Sequence, residues 1–548
     1  MRTFIFTLLL IFIFTQQTFS QMTEAADLIV INAKVHSFNL DFSEIEAFAV
    51  KNGRFAGIGS TKEILAKYHS TNILNAVGAH LYPGFIDAHC HFLGYAMSLR
   101  QIDLFGIDSW KKVLDILKER SEAFSDEWLV GRGWDHNLWE EKIFPDRTQL
   151  DILFPHRPVV LIRVDGHSLL ANGEALKRAG IGLEALFLKG EVEVKNGRLT
   201  GILSENAADK MRNAIPAPLP ATMTLLVKEA QANCFSVGLT TVADAGLEAG
   251  EVRLIDSLQK DNKLKMRIYG MLSPTEENIH SFVEKGIYRT DHLDIRSIKL
   301  YFDGSLGSRT ALLKHSYQDD PSKQGLLVTN IDSVRKISGL AMKNGYQVNS
   351  HAIGDSAVKR VLLVYGEFLK AKNDLRWRIE HAQVVDPADI SLFGKYSVIP
   401  SVQATHATSD MRWAGDRLGQ ERIRWAYAYR SLMLENGWIA NGTDFPIENI
   451  RPLYTFYAAV ARKDLKGWPP SGFQMENALS RGDALKSITI WAAKGCFEEK
   501  EKGSIEIGKF ADFVILDRDI LTVDEKDLPG TIVLKTFVGG EKVFEREK

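Results

Sequence analysis

The sequence predicts an α/β fold: a (β/α)8 TIM barrel with a large insertion after its first strand, plus a small β-sandwich formed by the N- and C-terminal segments. Two observations predict it. Apolar, β-type segments alternate with helical stretches through the middle of the chain, the signature of parallel βα units. Both ends are β-rich and lack that alternation.

Eight barrel strands are expected at residues 84–91, 238–244, 264–272, 297–303, 346–351, 377–381, 397–403 and 438–444. Their spacing is fairly regular except after the first, where roughly 140 residues intervene, too many for a structureless loop in a compact domain. Residues 94–235 are therefore expected to form a helical and mixed insertion, a lid over the site. Residues 27–35 and 47–58, around the Lys51-Asn52-Gly53 turn, read as strands, as do 511–516 and 531–544. The organisation is then 1–20 leader, 21–80 and 501–548 as the two halves of the sandwich, and 81–500 as the barrel.

A chain of 548 residues is long enough for a barrel and a second module. Its 67 Lys+Arg against 69 Asp+Glu leave a net charge of −2, without the concentrated basic face a nucleic-acid partner needs. The three cysteines, Cys90, Cys234 and Cys496, form no CxxC pair and argue against a disulfide framework, leaving open one long-range bridge. At the N-terminus, Arg2 precedes an apolar run from Phe4 to Phe14, and Thr18-Phe19-Ser20 places small side chains before Gln21. That is the layout of a secretory signal peptide, and the run is too short for a membrane span. The expected location is periplasmic or extracellular, with no stable membrane span after cleavage.

The chemistry concentrates at strand ends. In Phe85-Ile86-Asp87-Ala88-His89-Cys90-His91, alternation puts His89 and His91 on one face and Cys90 on the other. Two imidazoles on one face at the C-terminal end of a barrel strand can reach one metal ion. His351 and His381 end two strands about 30 residues apart, one βα repeat, and so are expected at equivalent positions. Residues at such ends converge on one site. Asp444, ending the eighth strand, faces the same mouth as a metal ligand, a general base or both; a helix N-cap is the bland alternative. Lys299, embedded in an apolar strand, must shift its pKa or find a partner, Asp303 being one.

Together FIDAHCHF, KLYFDGSLGSRTA, SHAIGD, RIEHAQ and NGTDFP resemble the amidohydrolase superfamily. More closely the chain resembles the amidohydrolase-3 subgroup that contains the YtcJ-like proteins and N-substituted formamide deformylase. The similarity extends to GRGWDHNLW, RVDGHSLLAN, TGILSENA, GLTTVADAG and IGKFADFVILD. The resemblance implies that His89, His91 and Asp444 bind one divalent metal, while His351 and His381 bind a second, with a carboxylated Lys299 bridging them. One or two ions fit this pattern; zinc is the expected one, and manganese or iron suits the same ligands. Asp303 remains an alternative acidic neighbour. His406 and Asp410 resemble a substrate-site segment after strand seven. Many relatives have Gln where His136 stands, a departure that bears on substrate preference.

The reaction this implies is hydrolysis of a non-peptide C–N bond in a small amide-type substrate, an N-formyl or N-acyl amine, by metal-activated water. Asp444 would move the proton to the leaving nitrogen, and His406 or His167 would help polarise the carbonyl. Deaminase, lactonase or esterase chemistry could use the same apparatus, and a non-catalytic binding barrel is the reading outside enzymology. Trp134, Trp139 and Trp413 could line an apolar pocket or pack the core. Arg163, Asp165 and His167, spaced by two, would share one face of a strand and contact substrate or form an internal ion pair. Homo-oligomerisation is left open.

Overall fold

The computed structural model describes residues 23–37, 45–122, 126–184 and 191–547. The expected leader, 1–20, lies outside the described residues. Eight parallel strands build the barrel: β1 (Phe85–Cys90), β2 (Leu239–Leu247), β3 (Arg267–Leu272), β4 (Leu293–Tyr301), β5 (Gln347–Ala352), β6 (Arg378–His381), β7 (Ile399–Val402) and β8 (Ala440–Asn441). They pair in sequence order. Backbone bonds from Asp444 N to His89 O and from His91 N to Phe445 O, each 2.8 Å, join the segment after β8 to β1. Asp87 reinforces that seam, accepting from the backbone and hydroxyl of Thr443 and from the backbone of His89. Helices such as Asp355–Leu369 pack outside, so strands like β3 and β5 are buried on both faces and read as unbroken buried runs.

The two ends of the chain meet as expected. Strands Lys34–Val35 and His80–Pro83 join Phe513–Leu516, Val533–Val538 and Glu541–Glu545 in one five-stranded sheet. A four-stranded sheet from residues 28–31, 47–51, 54–59 and 73–75 faces it. Val30, Phe48, Phe55, Phe513 and Phe537 fill the space between. The sandwich is tied to the barrel by a buried ion pair: Arg267 on β3 donates to both carboxylate oxygens of Asp512, at 2.7 and 3.0 Å.

The insertion differs from the helical and mixed element expected over 94–235. Its backbone is a six-stranded mixed sheet, in the order Ile102–Asp103, Leu129–Trp134, Val159–Arg163, Ser168–Ala171, Arg198–Ser204 and Val192–Lys195. Each face has its own core, one around Val160, Ile162 and Leu169, the other around Leu129, Leu161 and Trp134. The insertion is also narrower than expected. Helices Phe92–Ser98 and Pro220–Ser236 pack on each other and on β2, and so belong to the barrel.

Among the described residues no helix is long and apolar enough to cross a membrane. Cys90, Cys234 and Cys496 are buried free thiols.

Candidate metal centre and active site

The strand ends and the insertion enclose a cavity of about 680 Å³. Its floor is built from the C-terminal ends of the barrel strands. His89 is fully buried, with Nδ1 at 2.6 Å from Glu380 Oε2 on β6. That contact assigns the Nδ1 proton to the Glu380 side and leaves the Nε2 lone pair facing the barrel mouth. Lys299 on β4 sits with Nζ at 3.2 Å from His89 Nε2. His91 Nδ1 lies 3.0 Å from the Ala245 carbonyl oxygen, so its Nε2 also turns inward.

Asp444 lies at the centre. Its Oδ1 is 3.3 Å from His91 Nε2 and 3.5 Å from His89 Nε2, and its Oδ2 is 3.6 Å from His406 Nε2. The N-cap alternative does not describe this side chain: the carboxylate faces the imidazoles. Asp444 and His381 both hold left-handed backbone conformations, φ 63° and 74°. Such conformations cost on the order of 1–3 kcal/mol in a non-glycine residue and persist where surrounding structure imposes them. Here the bond from Asp444 N to His89 O supplies part of that constraint.

His351 and His381 converge, with ring centroids 4.4 Å apart, although they are not level on their strands. His351 pairs in register with Glu380, and His381 with Ala352, a one-residue offset from the equivalent positions expected. Barrel closure staggers neighbouring strands in this way. The His351 Nε2 is 3.2 Å from the Gly304 carbonyl oxygen, whereas His381 stacks with His406 at 5.9 Å. His89, His91 and Asp444 form one compact donor group, and His381, His406 and Asp444 another, so His406 joins the cluster more closely than its expected substrate role required.

The donor set fits a divalent cation. Asp444 Oδ1, His381 Nδ1 and His406 Nε2 are buried without a hydrogen-bond partner among the described residues. Leaving several polar atoms unmet at one point is expensive unless a ligand completes them. Although burial opposes ionisation, the His91 contact and neighbouring imidazoles hold the Asp444 carboxyl well below the usual range. Burial lowers the Lys299 amine to about 8, against the pull of Glu380 and Asp444.

The remaining expected residues divide. Asp165, His167 and Asp410 line the cavity. Arg163 and Asp165 form an ion pair at 2.6 Å, with Asp135 at 2.5 Å on the other side of the guanidinium. They do not share a strand: Val159–Arg163 stops at Arg163, and a turn through Gly166, φ 71°, brings His167 back to the wall. His167 Nδ1 lies 2.9 Å from Glu205 Oε2; burial lowers its pKa, but Glu205 outweighs this and raises it to about 9. Asp410 accepts from Tyr427 OH and Gln383 Nε2 at 2.8 and 3.1 Å, and burial raises it to about 7.

Two expectations are corrected. Asp303 does not line the cavity; it is fully buried and accepts from the backbone N–H groups of Leu312, Ile353 and Gly354. Its carboxylate organises the loops after β4 and β5, and Lys299 faces His89 instead. Trp134 is fully buried in the insertion core, donating to the Leu161 carbonyl, with Trp139 stacked beside it; of the three tryptophans only Trp413 lines the cavity. His136 is likewise buried behind the wall, beside Phe144. Glu380 and Asp87 were missed. Asp87 shares the two-residue spacing of His89 and His91, and Glu380 is an acid inside an apolar strand; both were signals available in the sequence.

A parallel barrel with imidazoles and a carboxylate converging at its C-terminal mouth defines a metal-dependent hydrolase. The sequence profile of the amidohydrolase family matches residues 72–544, and the chain belongs to that family. It is 32% identical to YtcJ of Bacillus subtilis (strain 168) over 511 residues, 91% of this chain and 96% of that protein. It is 26% identical to the N-substituted formamide deformylase of Arthrobacter pascens over 552 residues, 96% and 99% of the two chains. Among solved structures, a metal-dependent hydrolase from Pyrococcus horikoshii OT3 superposes with a TM-score of 0.74 at 28% identity, covering 91% of this chain and 99% of that one.

Proposed function

We propose that this protein is an exported hydrolase that cleaves a non-peptide carbon–nitrogen bond in a small N-formyl or N-acyl amine. The observation that carries the reading is the Asp444 carboxylate, buried at a cavity floor within 3.6 Å of the inward nitrogens of His89, His91 and His406. The similarity to a protein named as a formamide deformylase supports the choice of bond. Zinc is the expected ion; His89, His91 and Asp444 would hold it, and it would acidify water and polarise a carbonyl.

The side chains do the rest. Asp444 accepts the proton of the attacking water and returns it to the leaving nitrogen, since an amine departs poorly without protonation. His406, on the other side of Asp444, would donate to the developing oxyanion when His89, His91 and Asp444 hold the cation. His351 and His381 would hold a second cation. Lys299, in carboxylated form, would present anionic oxygens where the amine presents none. Tyr95, Ile353 and Trp413 give the cavity lining apolar surface that would pack on the substrate. Export rests on the N-terminal leader pattern.

The test is elemental analysis of the purified protein beside a hydrolysis screen of formamides, acyl amines and lactones, with and without chelator. Stoichiometric zinc and chelator-sensitive amide turnover are expected. Protein that binds no transition metal, or that hydrolyses lactones but no amide, overturns the reading.

A further inference from the structure

Two arginines line the cavity, and they are in different electrostatic states. Arg163 is held between Asp135 and Asp165. Among the described residues Arg132 has no carboxylate within ion-pair distance, and its Nε is buried without a hydrogen-bond partner. It lines the same cavity as His351, His381 and Asp444. The other basic group of this wall, His167, is already matched by Glu205.

The backbone places Arg132 there by a specific device. In strand Leu129–Trp134 the register with Val159–Arg163 slips at Gly133: Arg132 pairs with Ile162 and Trp134 with Arg163. Gly133 is the extra residue of a β-bulge, at φ 107°. Without the bulge Arg132 and Trp134 would share a face. With it, Trp134 turns into the core with Leu129 and Leu161, while Arg132 is left on the opposite face, reaching the cavity.

The Arg132 side chain keeps part of its surface open to the cavity, but a buried Nε–H left unmet is costly, and the fold that pairs Arg163 on both sides leaves this fork facing the cavity. Among the nearby charges Arg212 repels the Arg132 guanidinium while Asp444 and Asp165 attract it, and neither carboxylate comes within ion-pair distance. We propose that Arg132 receives a carboxylate carried by the substrate, so that the amide hydrolysed is an acidic one of the N-acyl or N-formyl amino acid class. The guanidinium fork matches a planar carboxylate through two parallel hydrogen bonds. A singly charged group suits the wall better than a phosphate, because Asp135 and Asp165 would repel a dianion. The inference rests on the hydrolase reading above and narrows its substrate class.

The test compares N-acetylphenylalanine with N-acetyl-2-phenylethylamine, the same amide lacking the carboxylate. In wild-type protein the acidic member should be preferred by about 100-fold or more in kcat/KM, the scale of a charged hydrogen-bonded contact. Arg132→Met should collapse that ratio toward unity, and Arg132→Lys should recover part of it. A second arm needs no turnover: N-acetylphenylalanine should raise the Tm of wild-type protein more than that of Arg132→Met, with the neutral amide shifting both equally. Failure of every amide to react would refute the hydrolase reading, and the Tm arm would still judge Arg132. Equal kcat/KM for the two amides in wild-type protein, or equal Tm shifts by the acid in wild-type and Arg132→Met, overturns the assignment.

Discussion

Glu380 Oε2 lies 2.6 Å from Nδ1 of His89, and both side chains are fully buried. The carboxylate fixes the tautomer of a histidine on β1 from a strand on another part of the barrel wall, almost three hundred residues away. Glu380 is itself held down to about 2: burial raises it, but His89 and Arg378 more than compensate. An outer carboxylate of this kind raises the basicity of a ligating imidazole and locks its orientation.

Glu380→Gln is therefore expected to weaken metal affinity by about 10- to 100-fold while keeping the fold. Competition with a chromophoric chelator measures it. Unchanged affinity in a folded variant would show that the tautomer is set elsewhere.

Asp444→Asn should lower turnover by about 100- to 10,000-fold, the range for a lost general acid–base group. Metal analysis of the same sample should find the ion largely retained by the histidines. Near-normal kcat in this variant would remove Asp444 from the proton-transfer role.

Burial raises Asp410 to about 7 in the folded chain, above the ordinary carboxylate value of the unfolded one. The folded state therefore binds this proton more tightly. The stability that proton contributes is complete below about pH 4 and is lost as the pH rises through about 7. Asp410→Asn, whose amide oxygen can still accept from Tyr427, should cancel that decline. The gap in Tm between variant and wild type should thus widen in the variant's favour from pH 5 to 8. A constant gap would mean that Asp410 does not titrate in this window.

Asp512→Ala strands the Arg267 guanidinium at the seam between sandwich and barrel. Removing one partner of a buried pair costs about 3–5 kcal/mol. A clear fall in the thermal midpoint should follow, read by calorimetry, with metal content per folded protein unchanged. Loss of metal without loss of stability would contradict a purely structural role.

Gly133→Ala should act on the bulge. Its new methyl would collide with the Phe105 ring, and a φ of 107° is foreign to alanine. A loss of about 1–3 kcal/mol in stability is expected from the strained backbone. With Arg132 displaced, KM for a carboxylate-bearing amide should rise more than kcat falls. A variant with wild-type stability and KM would show that the bulge does not position Arg132.

Much of the site was legible because strand geometry is periodic. His89 and His91 on one face, with Cys90 outside them, follow from alternation alone, and Cys90 indeed points to the Ala243 carbonyl behind the strand. The βα spacing brought His351, His381 and Asp444 to the same rim without any knowledge of contacts. The insertion was harder to read. Its strands lie next to short helices and turns, and Trp134 stays open between wall and core until the Gly133 bulge sets its face. Asp303, two residues from Tyr301 on β4, looked like a partner for Lys299; the loops after β4 and β5 instead supply it with three backbone donors.

By itself, the sequence determined the barrel, the sandwich shared by the two termini, and the set of imidazoles and acids available at the mouth. These depend on local periodicity and on the order of segments, which one dimension records. Only the tertiary structure decided that Glu380 holds His89, that His406 stands beside Asp444, and that Arg132 faces the cavity with no ion-pair partner among the described residues. Pairing and its absence depend on which side chains from distant segments come within a few ångströms, and that is set by strand stagger, bulges and turns rather than by residue type.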